Sequence, residues 1–362
     1  MEKRLHPNYT PTMKVRLALV KKIVLLLSSV MLMAMSFGQQ TWKVEYGGIL
    51  FSQPPFRNCH ASTIVEGPDG QFSVACFAGT EEGNKDVGIY YGKIGSDKKI
   101  VPTEVANGII NDTSRYPCWN PVLLNKKDGQ LVLFYKVGPN PRDWWGVYKT
   151  SNDNGKTWSG SVNLPKGILG PIKNKAILFD NGDILCPSSF EQANGRWKVF
   201  IEKTDKKLSK WTVVPVDTSG SFDVIQPSIL SYGGNKLQIL CRSKQGNVIQ
   251  SWSLNNGKTW SELSRTSLLN PNSGTDAVTL KDGRQLIVYN PTKSGKEWFN
   301  GRAKLRVAIS SNGTDWQDIV ELENGTKEEY SYPAVIQSAD GRIHITYTYD
   351  RKNIKYVILK ES

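Results

Sequence analysis

The sequence predicts an all-β protein: a six-bladed β-propeller of four-stranded antiparallel blades, with an N-terminal strand closing the last blade. Three observations carry this. A hairpin pattern recurs about every fifty residues, a further apolar strand follows each hairpin, and no stretch sustains the 3.6-residue apolar period of a helix.

The hairpins read ASTIVEGPDGQFSVACF from Ala61, NPVLLNKKDGQLVLFY from Asn120 and NKAILFDNGDILCPSS from Asn174. They recur as QPSILSYGGNKLQILCR from Gln226, DAVTLKDGRQLIVYN from Asp276 and YPAVIQSADGRIHITYT from Tyr332. Alternating apolar residues on either side of Asp-Gly or Asn-Gly make each a hairpin, because such turns need left-handed backbone. Third strands follow at Val87, Trp144, Trp197, Val248, Lys304 and Ile354, and fourth strands begin near Trp158, Trp211, Trp260 and Trp316. The last blade lacks a fourth strand, while WKVEYGG at Trp42 is left over. Pairing the two closes the ring and removes an exposed sheet edge.

Between third and fourth strands lie Asp boxes. Ser151 to Trp158 is complete, Ser253 to Trp260 carries Asn255 in the Asp position, and Ser310 to Trp316 is shortened. A carboxylate or amide that accepts backbone N–H groups closes such a turn, and the Trp wedges between sheets. Their role is structural.

Residues 1–38 read as a signal peptide and 39–362 as the propeller. Lys14, Arg16, Lys21 and Lys22 precede the apolar run from Ile23 to Met35, which is short for a membrane span, and cleavage falls near Gly38 to Gln40. The protein is therefore expected outside the cytoplasm, periplasmic or extracellular, with no stable membrane insertion.

The formal net charge is +13, and about +8 remains after the export segment. The basic residues are scattered, without the Lys/Arg block of a nucleic-acid binder, so an acidic oligosaccharide is the better partner. The five cysteines fit neither a metal knuckle nor a disulfide scaffold, although Cys59 and Cys118 begin neighbouring inner strands and are candidates for a bridge. No cofactor or metal is called for: Glu81 and Asp86 are carboxylates in one loop, but no loop has calcium-binding spacing.

In a propeller, residues just before each inner strand and in the loop between the second and third strands converge on one mouth. This gathers Arg57 and His60, Arg115, Trp119 and Asn120, then Lys173, Asn174 and Lys175. Asp223, Gln226, Asn272, Asp276, Glu329, Tyr330 and Tyr332 join them. The loop side adds Glu81, Glu82, Asp86, Lys136, Trp144, Glu191, Arg242 and Arg302. Charged and amide groups massed at one mouth suit an anionic, hydroxyl-rich ligand.

With its six repeats and Asp boxes, the chain resembles the sialidase superfamily, and more closely the bacterial neuraminidase-like BNR proteins. The resemblance covers nearly all of the mature chain. It implies three carboxylate-binding arginines: Arg57 after Phe56, Arg242 between Cys241 and Ser243, and Arg302 ahead of Leu305, Val307 and Ser310. Three guanidiniums can each give paired, charge-assisted hydrogen bonds to one carboxylate. It further implies Tyr332 as the nucleophile, with Tyr330 as the neighbouring candidate, and Asp86 as the acid or base. Substrate contacts are expected from Arg115, Asn120, Lys173, Asn174, Lys175, Trp144, Asn272 and Asp276, with Trp119 and Trp145 completing a stacking wall.

Gln226 departs from the family pattern, which has a Glu there to activate the tyrosine; an amide cannot take that proton. Asp223, Glu329 or Glu191 would have to substitute. The leading expectation is an exo-acting glycoside hydrolase that removes a terminal acidic sugar. Two alternatives stand beside it. One is a lyase that cleaves next to a uronic acid by β-elimination, with His60 as base and a Tyr as partner. The other is a non-catalytic glycan-binding propeller. His344, inside a strand, is read as a packing residue.

Overall fold

The computed structural model describes residues 41–362 except 218 and 298, so the expected export segment lies outside the described residues. Contacts divide the chain into a propeller unit, Lys43–Lys360, and a small unit holding the chain ends. In the small unit Ser362 N donates to Thr41 O at 2.9 Å.

Six four-stranded sheets form the blades. The innermost strands are Asn58–Glu66, Cys118–Asn125, Ile177–Leu178, Val224–Ser231, Asp276–Thr279 and Tyr330–Gln337. Blade six runs from Tyr330–Gln337 through Ile343–Tyr349 and Asn353–Glu361 to the N-terminal strand Trp42–Ile49, the closure the leftover strand predicts. Among the described residues no helix is long and apolar enough to cross a membrane.

The hairpin turns differ in detail from the expectation. At Lys126–Gln130 the Gly129 N–H bonds Lys126 O at 3.0 Å, and only Gly129 is left-handed, at φ 84°. The loop is thus a right-handed turn ending in a glycine bulge, in which a single residue needs glycine's freedom. Blade one has a fourth strand, Thr103–Ala106, that the pattern does not reveal. In blades two and four the fourth strands, Val162–Asn163 and Ser264–Leu269, begin four residues after Trp158 and Trp260.

Those tryptophans fill the seams between blades. Trp158 packs edge-on to Tyr91 of blade one at 5.3 Å, and Trp260 packs against the core between blades three and four. Asp153 Oδ1 accepts the Thr157 N–H at 2.9 Å and the Ser151 hydroxyl at 2.7 Å, while Ser151 Oγ accepts the Gly155 N–H at 2.8 Å. Each donor satisfied here would otherwise be unpaired in the turn.

One feature of the inner strands positions the site. In blades one, two, four and six the ladder breaks register after His60, Trp119, Ile225 and Ser331. The next residue of each is left-handed: Ala61 (φ 51°), Asn120 (φ 39°), Gln226 (φ 55°) and Tyr332 (φ 52°). Such backbone costs about 1–3 kcal/mol per residue, so the surroundings must hold it. Hydroxyls of neighbouring blades help: Thr348 Oγ1 accepts the Ala61 N–H at 3.2 Å, and Ser189 Oγ accepts the Gln226 N–H at 3.0 Å. A bulge re-aims side chains, and here the same bulge is repeated around the mouth.

All five cysteines are free and buried, which removes the expected Cys59–Cys118 bridge. Cys59 packs in the core shared with blade six, whereas Cys118 belongs to the core between blades one and two.

Candidate functional site

The bulges of blades four and six bring Gln226 and Tyr332 together. Arg242 Nη1 donates to the Tyr332 phenol oxygen at 2.5 Å and to Gln226 Oε1 at 3.3 Å, and Gln226 Nε2 lies 3.5 Å from the same phenol oxygen. Arg242, in the second strand of blade four, is fixed from the other side by Asn272 Oδ1, which accepts its Nε–H at 2.9 Å. Its guanidinium also lies 5.1 Å from the centre of the Trp197 ring. Arg302 donates through Nη1 to Glu329 at 2.9 Å and through Nη2 to the Asn272 carbonyl at 3.0 Å. The guanidinium carbons of Arg242 and Arg302 and the Lys173 ammonium all stand 5.6–5.8 Å from the Tyr332 ring centre. Three cations from three blades surround one phenol.

Glu329 bridges Arg302 and Arg351, accepting the Arg351 Nε–H at 2.7 Å, and Arg351 also pairs with Glu82. Burial pushes the Glu329 carboxyl up, but Arg351, Arg302 and the Ser331 hydroxyl outweigh it and hold the group below its ordinary range. A cavity of about 420 Å³ opens beside them, lined by His60, Glu81, Glu82, Glu329, Asp350 and Arg351 among others.

His60 joins cavity and phenol. Its ring centre is 4.1 Å from that of Tyr332, its Nδ1 contacts Thr348 Oγ1 at 2.9 Å, and its buried Nε2 has no hydrogen-bond partner. Burial first, then the charges of Arg351, Arg302, Lys173 and Arg242, hold its pKa well below that of a free imidazole. The ring is therefore neutral near pH 7, with one nitrogen uncommitted.

Several predicted site residues are elsewhere. Arg57 is exposed, and its side chain forms no ion pair among the described residues. Arg351 is the guanidinium that lines the cavity beside His60. Asp86 is exposed and caps its own loop, accepting the Thr80 N–H at 2.8 Å and hydroxyl at 2.9 Å, while Arg115 is spent on the Asp86 carbonyl at 3.0 Å. Asp223 pairs with Arg196 at 2.8 Å and accepts the Trp197 N–H. Tyr330 faces Tyr349 at 5.1 Å, and burial together with that neighbour raises its phenol pKa.

Others are placed as follows within the protein. Lys173 gives its N–H groups to Asn174 Oδ1 (2.8 Å), Thr275 O (3.1 Å) and Pro333 O (2.6 Å). Asn174 donates to the Gln226 carbonyl at 2.9 Å, and Lys175 pairs with buried Asp276 at 2.6 Å. Asn120 is buried on its bulge. Glu191 ends the second strand of blade three, and Trp144 packs edge-on to Trp119 at 6.0 Å. Lys136 is fully buried, with its ammonium on the Pro171 carbonyl. His344 is a packing residue, stacked on Phe72 and bonded to Tyr356 and Ser338.

The rule that selected Arg242 and Arg302, a position between second and third strands, also selects Arg351, which the sequence reading missed. Trp197, Thr348 and Gly274 carry no comparable signal. A Cβ on Gly274 would lie 3.2 Å from both Tyr332 Cγ and Gln226 Oε1, so the bare backbone is what lets the phenol sit there. Among the described residues no group of three His, Cys, Asp or Glu is placed to hold a metal ion.

This propeller and its mouth have relatives. The sequence matches the BNR repeat-like domain over residues 70–345, and the chain belongs to that family. No curated protein matches it. Among solved structures it is similar to a protein of unknown function from Dyadobacter fermentans, with 16% identity, a TM-score of 0.72, and 89% of this chain and 99% of that one covered. It is also similar to the Hadza microbial sialidase Hz136, with 14% identity, a TM-score of 0.69, and 83% and 65% covered. The Ruminococcus gnavus intramolecular trans-sialidase in complex with oseltamivir carboxylate gives 14%, 0.65, and 86% and 96%. At these identities the likeness is one of fold.

Proposed function

We propose that the protein is an exo-acting glycoside hydrolase that removes a terminal acidic sugar from a glycan outside the cytoplasm. The observation that carries this reading is the pairing of Arg242 and Arg302 around the Tyr332 phenol. Arg242 Nη2 has no partner among the described residues, so a sugar carboxylate can take it without breaking the contact to Tyr332. Arg302 faces the same ring and adds positive potential.

Tyr332 then lies beside the anomeric carbon, where it traps or stabilises an oxocarbenium-like centre. The proton acceptor for Tyr332 in this scheme is His60. Gln226 cannot accept the proton, Asp223 is tied to Arg196, and Glu329 is held ionised between two arginines. Glu81, on the cavity wall, is better placed than Asp86 to protonate the leaving oxygen.

The contact between His60 and Tyr332 supports a second reading. A neutral imidazole and a phenol next to a carboxylate-binding guanidinium also suit abstraction of the proton alpha to a uronate, followed by β-elimination. Incubation with sialosides and with uronic-acid oligosaccharides separates the two. Hydrolysis releases a saturated acidic monosaccharide, and elimination leaves an unsaturated, ultraviolet-absorbing uronate. Retention on an acidic glycan column without either product would overturn both and leave a binding propeller.

A further inference from the structure

Lys173 was a substrate-binding candidate by sequence, yet its side chain is buried in the channel and all three of its N–H groups are engaged. The acceptors come from three blades. Asn174 neighbours it in blade three, Thr275 precedes the inner strand of blade five, and Pro333 follows Tyr332 in blade six. An ammonium has three donors and no acceptor, so this triple contact fits the charged form. A neutral amine would leave one carbonyl or amide oxygen unsatisfied against a lone pair.

Pro333 is the residue after the left-handed Tyr332, and Thr275 is the residue after Gly274, where a Cβ would lie 3.2 Å from Tyr332 Cγ. The lysine therefore holds the two backbone segments that define where Tyr332 sits. We infer that Lys173 is the positioning residue of Tyr332: its ammonium clamps the backbone beside and beneath the phenol, and loss of its proton loosens the contact between Tyr332 and Arg242. The inference rests on the proposed role of Tyr332 only for its catalytic consequence.

The surroundings make that proton exchangeable near neutrality. Asp276 of blade five favours the charge, while burial, Lys175 of blade three and Arg242 of blade four oppose it and bring the group down to about 7. The Tyr332 ring of blade six faces the ammonium, and His60 of blade one feels its charge but titrates well below 6.5. An event near pH 7 at Tyr332 is thus separable from His60.

The test uses the full chain labelled with ring-carbon-13 tyrosine, with the Tyr332 signal identified by its loss in Tyr332→Phe. The expected result is an inflection of that signal near pH 7 that Lys173→Met abolishes. A flat signal in the unsubstituted protein, or an inflection that persists in Lys173→Met, overturns the inference. If Lys173→Met does not fold, crystal structures below and above pH 7 decide: the Arg242–Tyr332 separation lengthens at the higher pH, and an unchanged separation overturns the inference. An intact inflection in a protein that turns over no acidic glycoside would support this inference while sinking only the hydrolase reading.

Discussion

Arg242 places one guanidinium nitrogen 2.5 Å from the Tyr332 phenol oxygen, across the channel mouth from blade four to blade six. That contact engages Nη1 alone, and Nη2 has no partner among the described residues. Arg242→Met is expected to lower turnover of an acidic glycoside by about 10- to 100-fold, the loss of one charge-assisted hydrogen bond of about 1.5–3 kcal/mol. Steady-state kinetics on the best substrate checks this, with Arg242→Lys recovering only part because it lacks the planar fork.

Arg57→Ala and Arg351→Ala should part company. Arg57 is exposed, so its loss leaves activity and stability nearly unchanged, whereas Arg351 anchors Glu329 and Glu82 beside the His60 cavity. Activity and thermal melting of the two variants side by side measure the contrast. Equal losses would mean that Arg57 reaches the ligand.

Arg302 and Glu329 form a buried ion pair, with side chains 3% and 14% exposed. Arg302→Met leaves that carboxylate with Arg351 alone, at an expected cost of about 3 kcal/mol by denaturant unfolding. The double variant Arg302→Met/Glu329→Gln should recover part of it, because the buried carboxylate that lost one of its two arginines is gone.

The contribution of His344 to stability should fall on mild acidification. His344 stays neutral in the fold, its pKa lowered to about 4 by burial first and by Lys98 and Arg342 against the opposing Asp340. In the unfolded chain it titrates near 6.5, so between about pH 6.5 and 4 the unfolded state binds more protons. The contribution is complete above pH 6.5 and shrinks as pH falls to about 4, by about 3 kcal/mol in total. His60 acts in the same direction. Glu202, whose carboxyl burial raises to about 7, gives the opposite slope over this range, so the difference in unfolding free energy between the parent and His344→Asn, measured from pH 7.5 to 4.5, isolates the His344 contribution.

Gly274→Ala tests the packing under the phenol. The added methyl would sit 3.2 Å from Tyr332 Cγ and 3.3 Å from the Lys173 Cε, so one of them must give by a few tenths of an ångström. Turnover is expected to drop several-fold while the melting temperature moves little; unchanged turnover would show that the exact seat of Tyr332 is unimportant.

The fold was legible because its signals are local. Alternation with period two and a glycine turn specify a hairpin whatever surrounds it, and six of them leave few architectures. The short inner strand of blade three was less legible, since Lys173, Asn174 and Lys175 spend their side chains on other blades. Gln226 and Tyr332 were found because each starts an inner strand. Arg57 is exposed, and position before a strand does not say which way its side chain turns. Cys59 and Cys118 begin equivalent strands, yet each faces a different seam of blade one, and the strand pattern carries no information on that.

The most direct test of the account is a crystal structure of the protein soaked with an acidic monosaccharide, sialic acid in one crystal and a glucuronate in another. The account predicts a carboxylate within about 3 Å of Arg242 Nη2, with Tyr332 beside the anomeric carbon. A sugar bound with its carboxylate away from both Arg242 and Arg302 would contradict it.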